Sequence, residues 1–319
     1  MATRVIIDTD TGVDDGMGLI YALLSPELDI VGVTTSFGNV DVDKVTRNTA
    51  IILEELGSTA PLGKGAAIAL AGEVPTFNPQ IHGEDGFGNA NLPDPAFTNL
   101  DPRSAAQLTI DLVNTFPGEL VWIGLGPVTN LALALHLDPT LPERLRRIVW
   151  MGGAVNHHGN VTPVAEADAL HDPEALRMVL DQGWEFVQVG LDVTDDTVFG
   201  QAELDAVRAA DTPGAKLVAA GAPSYMEFYE PILGRYGCAM HSPLTVGIVA
   251  HPELVLASET VRLHVELDGR YTRGMTVADR RVGRDGGPIW STAPLVEVVF
   301  DVDRASFIDR YVRRVTGVE

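Results

Sequence analysis

With 319 residues, 45% of them hydrophobic and 21% charged, the chain can bury a large core in the manner of an ordinary globular protein. A net charge of −22 opposes binding to nucleic acid or to an anionic membrane, and favours a neutral small molecule or a cation as partner. The single Cys238 excludes an internal disulfide framework and a cysteine-rich zinc site; with no 18-residue apolar run and no signal-like start, the expected compartment is the cytoplasm.

The chain opens on Val5-Ile6-Ile7, an apolar triplet that predicts a buried parallel strand over Val5–Asp8. Thr11-Gly12 then turns the chain, and Asp14-Asp15 begin a helix that Pro26 stops. Asp8, Asp10, Asp14 and Asp15 thus crowd a strand-to-helix junction, where open α/β sheets bind ligands. A helix N-terminus stabilises a carboxylate by only about 0.3–1 kcal/mol, too little to hold several converging acids away from water. A hard cation with oxygen ligands, Ca²⁺ or Mg²⁺, resolves the conflict.

Further strands are expected at Asp29–Thr35, Leu120–Gly124, Arg147–Met151 and Glu185–Leu191. Helices are expected at Val42–Leu56, Ala105–Phe116, Thr129–His136, Pro173–Gln182 and Leu244–Ala250. This alternation predicts βαβ units and one open, mostly parallel, doubly wound sheet in a single domain spanning 1–319. From Glu259 to Met275 the residues alternate (Val261, Leu263, Val265, Leu267), which predicts a small antiparallel addition. Gly72–Pro102, rich in Gly, Pro, Asn and Asp, is the longest irregular stretch and has the character of a binding loop. Polar groups follow the strands at Thr35-Ser36-Phe37-Gly38-Asn39, Gly124-Leu125-Gly126-Pro127, Met151-Gly152-Gly153, Gly159-Asn160 and Glu166-Ala167-Asp168. Met240-His241-Ser242-Pro243 precedes the last of the expected helices.

These residues resemble a known family. Asp8-Thr9-Asp10-Thr11-Gly12-Val13-Asp14-Asp15 looks like the signature of the inosine-uridine-preferring nucleoside hydrolases. The likeness continues in order through Gly38-Asn39, His82-Gly83-Glu84-Asp85-Gly86, Gly126-Pro127-Val128-Thr129-Asn130, Met151-Gly152-Gly153, Asp172-Pro173-Glu174, His241 and Thr272-Arg273-Gly274-Met275. The resemblance implies Ca²⁺-dependent hydrolysis of the N-glycosidic bond of a ribonucleoside by a homodimer or homotetramer. It implies Asp10, Asp15, the Leu125 carbonyl and the residue at Ser242 as metal ligands, and Asp14 as general base toward the attacking water. Asn39, Met151, Asn160, Glu166 and Asp168 would hold the sugar end of the substrate as positive charge builds on the ring. His241 would protonate the departing base with a pKa near neutrality, and His82, Tyr225 and Tyr229 would line the base pocket.

The chain departs from the family pattern at four positions. Ser242 stands where a metal-ligating Asp is usual, which predicts weaker Ca²⁺ binding. Asp168 stands where Asn is usual; when ionised it cannot donate a hydrogen bond, and it repels a 5′-phosphate. Thr11 replaces Pro and Gly16 replaces Ala, at an expected loss of rigidity. Three rival readings are weaker. A haloacid-dehalogenase-type phosphohydrolase would place Thr or Val where Gly12 stands, and the only lysines are Lys44, Lys64 and Lys216. A dinucleotide-binding fold lacks the third glycine after Gly124-Leu125-Gly126. A catalytically impaired ribosyl-binding protein would not need to keep base, acid and sugar contacts together. The smaller Ser242 predicts room for a 2′-O-methylated ribose. Ser242→Asp is then expected to shift the ratio of uridine to 2′-O-methyluridine cleavage toward uridine, measured by paired chromatographic rates; an unchanged ratio removes that idea.

Overall fold

The computed structural model describes residues 2–73, 76–96, 99–281 and 287–318. In chain order the strands are β1 (Thr3–Thr9), β2 (Leu28–Thr35), β3 (Leu62–Lys64), β4 (Leu100–Asp101), β5 (Val121–Leu125), β6 (Arg147–Met151), β7 (Phe186–Val189), β8 (Val198–Gly200), β9 (Gly237–Ala239), β10 (Val255–Val265), β11 (Thr276–Asp279) and β12 (Leu295–Val302). Ten of them form one sheet in the order β11-β10-β12-β7-β6-β5-β1-β2-β3-β4, while β8 and β9 form a separate antiparallel pair. Neighbours from β12 through β4 pair in parallel, and β10 is antiparallel to both β12 and β11. The expected mostly parallel sheet with an antiparallel edge is therefore present.

The apolar runs of the central strands follow from burial on both faces. Val5 and Ile7 point into one core and Ile6 into the other. Val149 and Met151 likewise oppose Ile148 and Trp150. The helices Val13–Leu24, Val42–Glu55, Pro213–Leu233, His241–Ala250 and Arg304–Thr316 contribute to the first core; Ala105–Thr115, Thr129–Leu137 and Pro173–Leu180 contribute to the second. A strand covered on both sides has no polar face to alternate with, which is why it reads as a continuous hydrophobic run. On β10 one side is wetter: Val261, Leu263 and Val265 are buried while Arg262 and His264 are half-exposed.

The site is placed by topology. From β1 the chain moves outward to β2, β3 and β4 on one side, then returns to β5 on the other. This reversal opens a crevice at the carboxyl ends of β1 and β5, where Thr9 is in register with both Thr35 and Leu125. Asp10 is the next residue out.

Four sequence expectations need correction. The helix expected at Leu244–Ala250 begins at His241, so His241 and Ser242 lie in its first turn. Pro243 does not delay it, because a first-turn amide has no intrahelical acceptor to lose. The helix Pro213–Leu233 is not among those expected; it holds Pro223 and Pro231, which read as breakers in sequence. The strand expected through Leu191 ends at Val189, and Leu191–Thr194 is a short helix. The irregular stretch Gly72–Pro102 contains a helical turn, Pro79–His82, and the strand β4; its residues 74–75 and 97–98 lie outside the described residues.

The buried indole of Trp150 donates from Nε1 to the Gly126 carbonyl (3.1 Å), tying β6 to the turn after β5. Trp150→Phe keeps most of the packing but leaves that carbonyl unmet. It is expected to lower unfolding stability by about 1–3 kcal/mol, measured from the urea midpoint with an unchanged slope.

Candidate active site

Asp10, Asp14 and Asp15 are buried together where β1 gives way to the helix Val13–Leu24. Asp15 is the most firmly held. Its Oδ2 accepts from the Gly12 amide (2.9 Å) and from Asn39 Nδ2 (2.7 Å), and its Oδ1 accepts from Ser242 Oγ (2.5 Å). Asp10 Oδ2 accepts from the Asn39 amide (2.8 Å), whereas its Oδ1 has no protein partner among the described residues. Asp14 Oδ2 takes one long bond from the Ser242 amide (3.4 Å). The backbone approaches closely here. A Cβ on Gly38 would stand 1.9 Å from Asp10 Oδ2, and one on Gly126, just past Leu125, 3.0 Å from Asp10 Oδ1. The buried Leu125 is thus carried to the acid cluster at the end of β5.

Burial pushes all three carboxyls up, and their mutual repulsion adds to the shift of Asp10 and Asp14. Asp15, with the most donors, is raised only to about 6. Asp8, one layer inside, is raised by burial to about 7 although Thr34 Oγ1 (2.5 Å) and Asn130 Nδ2 (2.8 Å) donate to it. Asp168 joins the cluster electrostatically: burial raises it first, then the charge of Asp10. One donor atom each from Asp10, Asp168 and His171 lie within 4.8 Å of one another. An orphaned, buried carboxylate oxygen beside further acids fits a hard divalent cation.

A cavity of about 240 Å³ opens over these acids. Asp14, Asp15, Asn39 and Ser242 line one part of it, and Met151, Asn160, Glu166 and Asp168 line another. Glu166 is fixed in place: Gly153 N–H (2.8 Å), Asp168 N–H (2.9 Å) and Ala169 N–H (3.1 Å) donate to it, and it caps the short helix Ala167–His171. Asn160 Oδ1 accepts from the Ala167 amide (3.0 Å), which leaves its NH₂ group to donate elsewhere. His82, Tyr225, Tyr229 and His241 close the remaining side. Every residue expected to form the site from sequence, Asp10 and Leu125 in the floor and the others in the walls, is therefore gathered at one place.

Burial favours the neutral form of the two histidines of this wall. His82 Nδ1 accepts from the Val13 amide (3.1 Å), its ring stacks on Tyr225, and burial lowers its pKa to about 3. His241 lies between Tyr229 OH on Nε2 and Thr194 Oγ1 on Nδ1, each at 2.8 Å, and burial lowers its pKa to about 4. The expectation of a pKa near neutrality for His241 is thus corrected, because the packed wall that positions the ring also desolvates it. Thr11 and Gly16 each meet specific neighbours. Thr11 Oγ1 bridges Thr9 Oγ1 (3.0 Å) and Thr49 Oγ1 (2.7 Å), and a Cβ on Gly16 would stand 2.3 Å from the Phe87 ring.

Sequence reasoning missed Thr194, Asp195, His171 and the His157-His158 pair. Thr194 and Asp195 follow β7, so the rule that polar residues after strands converge would have found them. His171 lies one helical turn beyond Asp168, and its proximity to Asp10 exists only in three dimensions.

Cation binding to acids with raised pKa values must displace protons. The rise in melting temperature caused by millimolar Ca²⁺ is therefore expected to be larger at pH 7.5 than at pH 5.5. Paired thermal scans of chelator-treated protein measure it, and an equal rise at both values would contradict this arrangement of acids.

Residues 5–309 match the family model described as inosine-uridine preferring nucleoside hydrolase. The uridine nucleosidase 1 of Arabidopsis thaliana is 33% identical over 302 residues, covering 94% of this chain and 89% of that protein. The inosine-uridine preferring nucleoside hydrolase of Crithidia fasciculata is 35% identical over 283 residues, covering 88% and 89%. Among solved structures, a plant nucleoside hydrolase superposes with a TM-score of 0.94 at 32% identity, covering 99% of both chains. A purine-preferring ribonucleoside hydrolase from Gardnerella vaginalis gives 0.90 at 33% identity, again covering 99% of both. Acids, asparagines and histidines line one cavity on this sheet, and the chain belongs to the inosine-uridine preferring nucleoside hydrolase family.

Proposed function

We propose that this enzyme cleaves neutral ribonucleosides with Ca²⁺ held at Asp10, Asp15, the Leu125 carbonyl and Ser242, with Asp168 supplying the carboxylate that Ser242 lacks. The observation that carries the reading is the lining of the cavity. Asp14, Asp15, Glu166, Asp168, His241 and Tyr229 line one cavity, and among the described residues no Lys or Arg lines it to neutralise a phosphate. The same reading includes a homodimer or homotetramer acting in the cytoplasm, one α/β domain per chain, and no nucleic-acid or membrane partner.

When bound, the cation lowers the pKa of water and orients vicinal hydroxyls. Asp14 suits the general base because it is the least engaged of the three acids: its one inter-residue bond is the long contact from the Ser242 amide. Asp15 is unsuited, since the Gly12 amide, Asn39 Nδ2 and Ser242 Oγ already engage both its oxygens. Asn39, Asn160 and Glu166 hold the ribose hydroxyls, with Met151 against the ring. Burial raises the Glu166 carboxyl and its three amide donors oppose that shift; in its ionised form it favours the cationic transition state. His82 is pinned through Nδ1, so its Nε2–H faces the base. His241, once it has taken up a proton against its lowered pKa, passes it through Nε2 to Tyr229 as the Tyr229 hydroxyl protonates the departing base, Thr194 fixing the far side of the imidazole.

The test is chromatography of a panel of purine and pyrimidine ribosides, with uridine 5′-monophosphate as control, with Ca²⁺ and with chelator. Free base is expected only with Ca²⁺ and only from the unphosphorylated compounds. Asp14→Asn is expected to lower kcat by about 10²–10⁴-fold while leaving the Ca²⁺ midpoint nearly unchanged. Asp168→Asn is expected to raise that midpoint; equal Ca²⁺ affinity in wild type and Asp168→Asn would remove Asp168 from the metal.

A further inference from the structure

We propose that His157, His158 and Asp195 form a second metal site, for a transition-metal ion such as Zn²⁺, at the mouth of the nucleoside cavity. One donor atom from each of the three lies within 4.8 Å of the others, and His157 Nε2 is 3.8 Å from Asp195 Oδ2. Two imidazoles and a carboxylate suit zinc and similar ions rather than Ca²⁺, and leave a fourth position open.

The tautomers are set for ligation. His157 Nδ1 is 2.9 Å from the His158 carbonyl, and His158 Nδ1 is 2.8 Å from the Gly159 carbonyl. A carbonyl can only accept, so each Nδ1 carries the proton and each Nε2 keeps its lone pair. A ring N–H given to a backbone carbonyl is how metal-binding histidines are usually oriented. The loop is also anchored just before the pair. Asp192 accepts from the Val155 amide (2.9 Å) and the Asn156 amide (2.6 Å), so the loop is tied to the short helix Leu191–Thr194, which Asp195 directly follows. Both halves of the site therefore stand on one local framework.

The position gives such an ion an effect. His158 and Asp195 line the same cavity as His241, and Thr194, next to Asp195, holds the His241 ring. Zn²⁺ here narrows the entrance between His158 and Asp195, which opposes substrate entry. The enzyme is thus expected to be inhibited by Zn²⁺ at a site separate from the Ca²⁺ acids. Binding at this site does not depend on the proposed catalytic roles; only the inhibition does.

The test uses the full chain, stripped with chelator and then saturated with Ca²⁺ so that the deeper acids are occupied. Zn²⁺ is titrated against a chromophoric chelator for wild type, the His157→Ala/His158→Ala double variant, Asp195→Asn and His171→Phe. Wild type and His171→Phe are expected to bind one Zn²⁺ per chain, with at least tenfold weaker binding in the other two. Co²⁺ in place of Zn²⁺ should give visible tetrahedral absorption that the double variant lacks. Far-ultraviolet circular dichroism spectra and melting transitions like those of wild type verify that the variants are folded. No Zn²⁺ bound by wild type, affinity unaltered in the double variant, or loss confined to His171→Phe would each overturn the site. Uridine cleavage should fall with Zn²⁺ in wild type and not in the double variant; binding without inhibition overturns the role at the mouth and leaves the site standing.

Discussion

Everything at the catalytic end of this molecule is organised around like charge placed out of water. Asp10, Asp14, Asp15 and Asp168 converge in a buried volume that, among the described residues, no Lys or Arg enters. Such a cluster persists only if protons or a cation neutralise it, and the raised carboxyl pKa values express the first of these solutions. The amide donors from Gly12, Asn39 and Ser242 hold the acids in position without discharging them. The sheet contributes the location: a topological switch at β1 delivers several chain segments to one crevice.

Much of this is legible in the order of the amino acids. The uninterrupted apolar run Val5-Ile6-Ile7 requires cover on both faces, and Arg147–Met151 is the strand expected residue for residue. The four early aspartates point to a cation because, at a pH where they are ionised, their mutual repulsion needs one. What stays hidden depends on context that local pattern does not carry. Pro223 and Pro231 sit inside a long helix that tertiary packing sustains, so a pattern-based reading loses the element that presents Tyr225 and Tyr229. The depressed pKa of His241 is equally invisible, because it comes from the wall around the ring and not from the residue itself.

Two of the less expected residues find partners far away in sequence. Ser242 donates to Asp15, while Asp168 joins the same acids electrostatically. Gly16 gives up a side chain where the Phe87 ring needs the space. In each case a residue that looks like a loss in one dimension has a neighbour that fits it in three.

The bond from the Val13 amide to His82 has a further meaning. The Pro79–His82 turn and the first turn of the acidic helix are one mechanical piece, wedged by Phe87 against Gly16 and Gly221. Swinging that loop outward would strip a helix-start amide of its acceptor and empty a close-packed socket at the same moment. The side of the cavity that carries His82 is therefore tied to the acidic helix, whereas His158, Asn160 and Val161, which also line it, stand exposed.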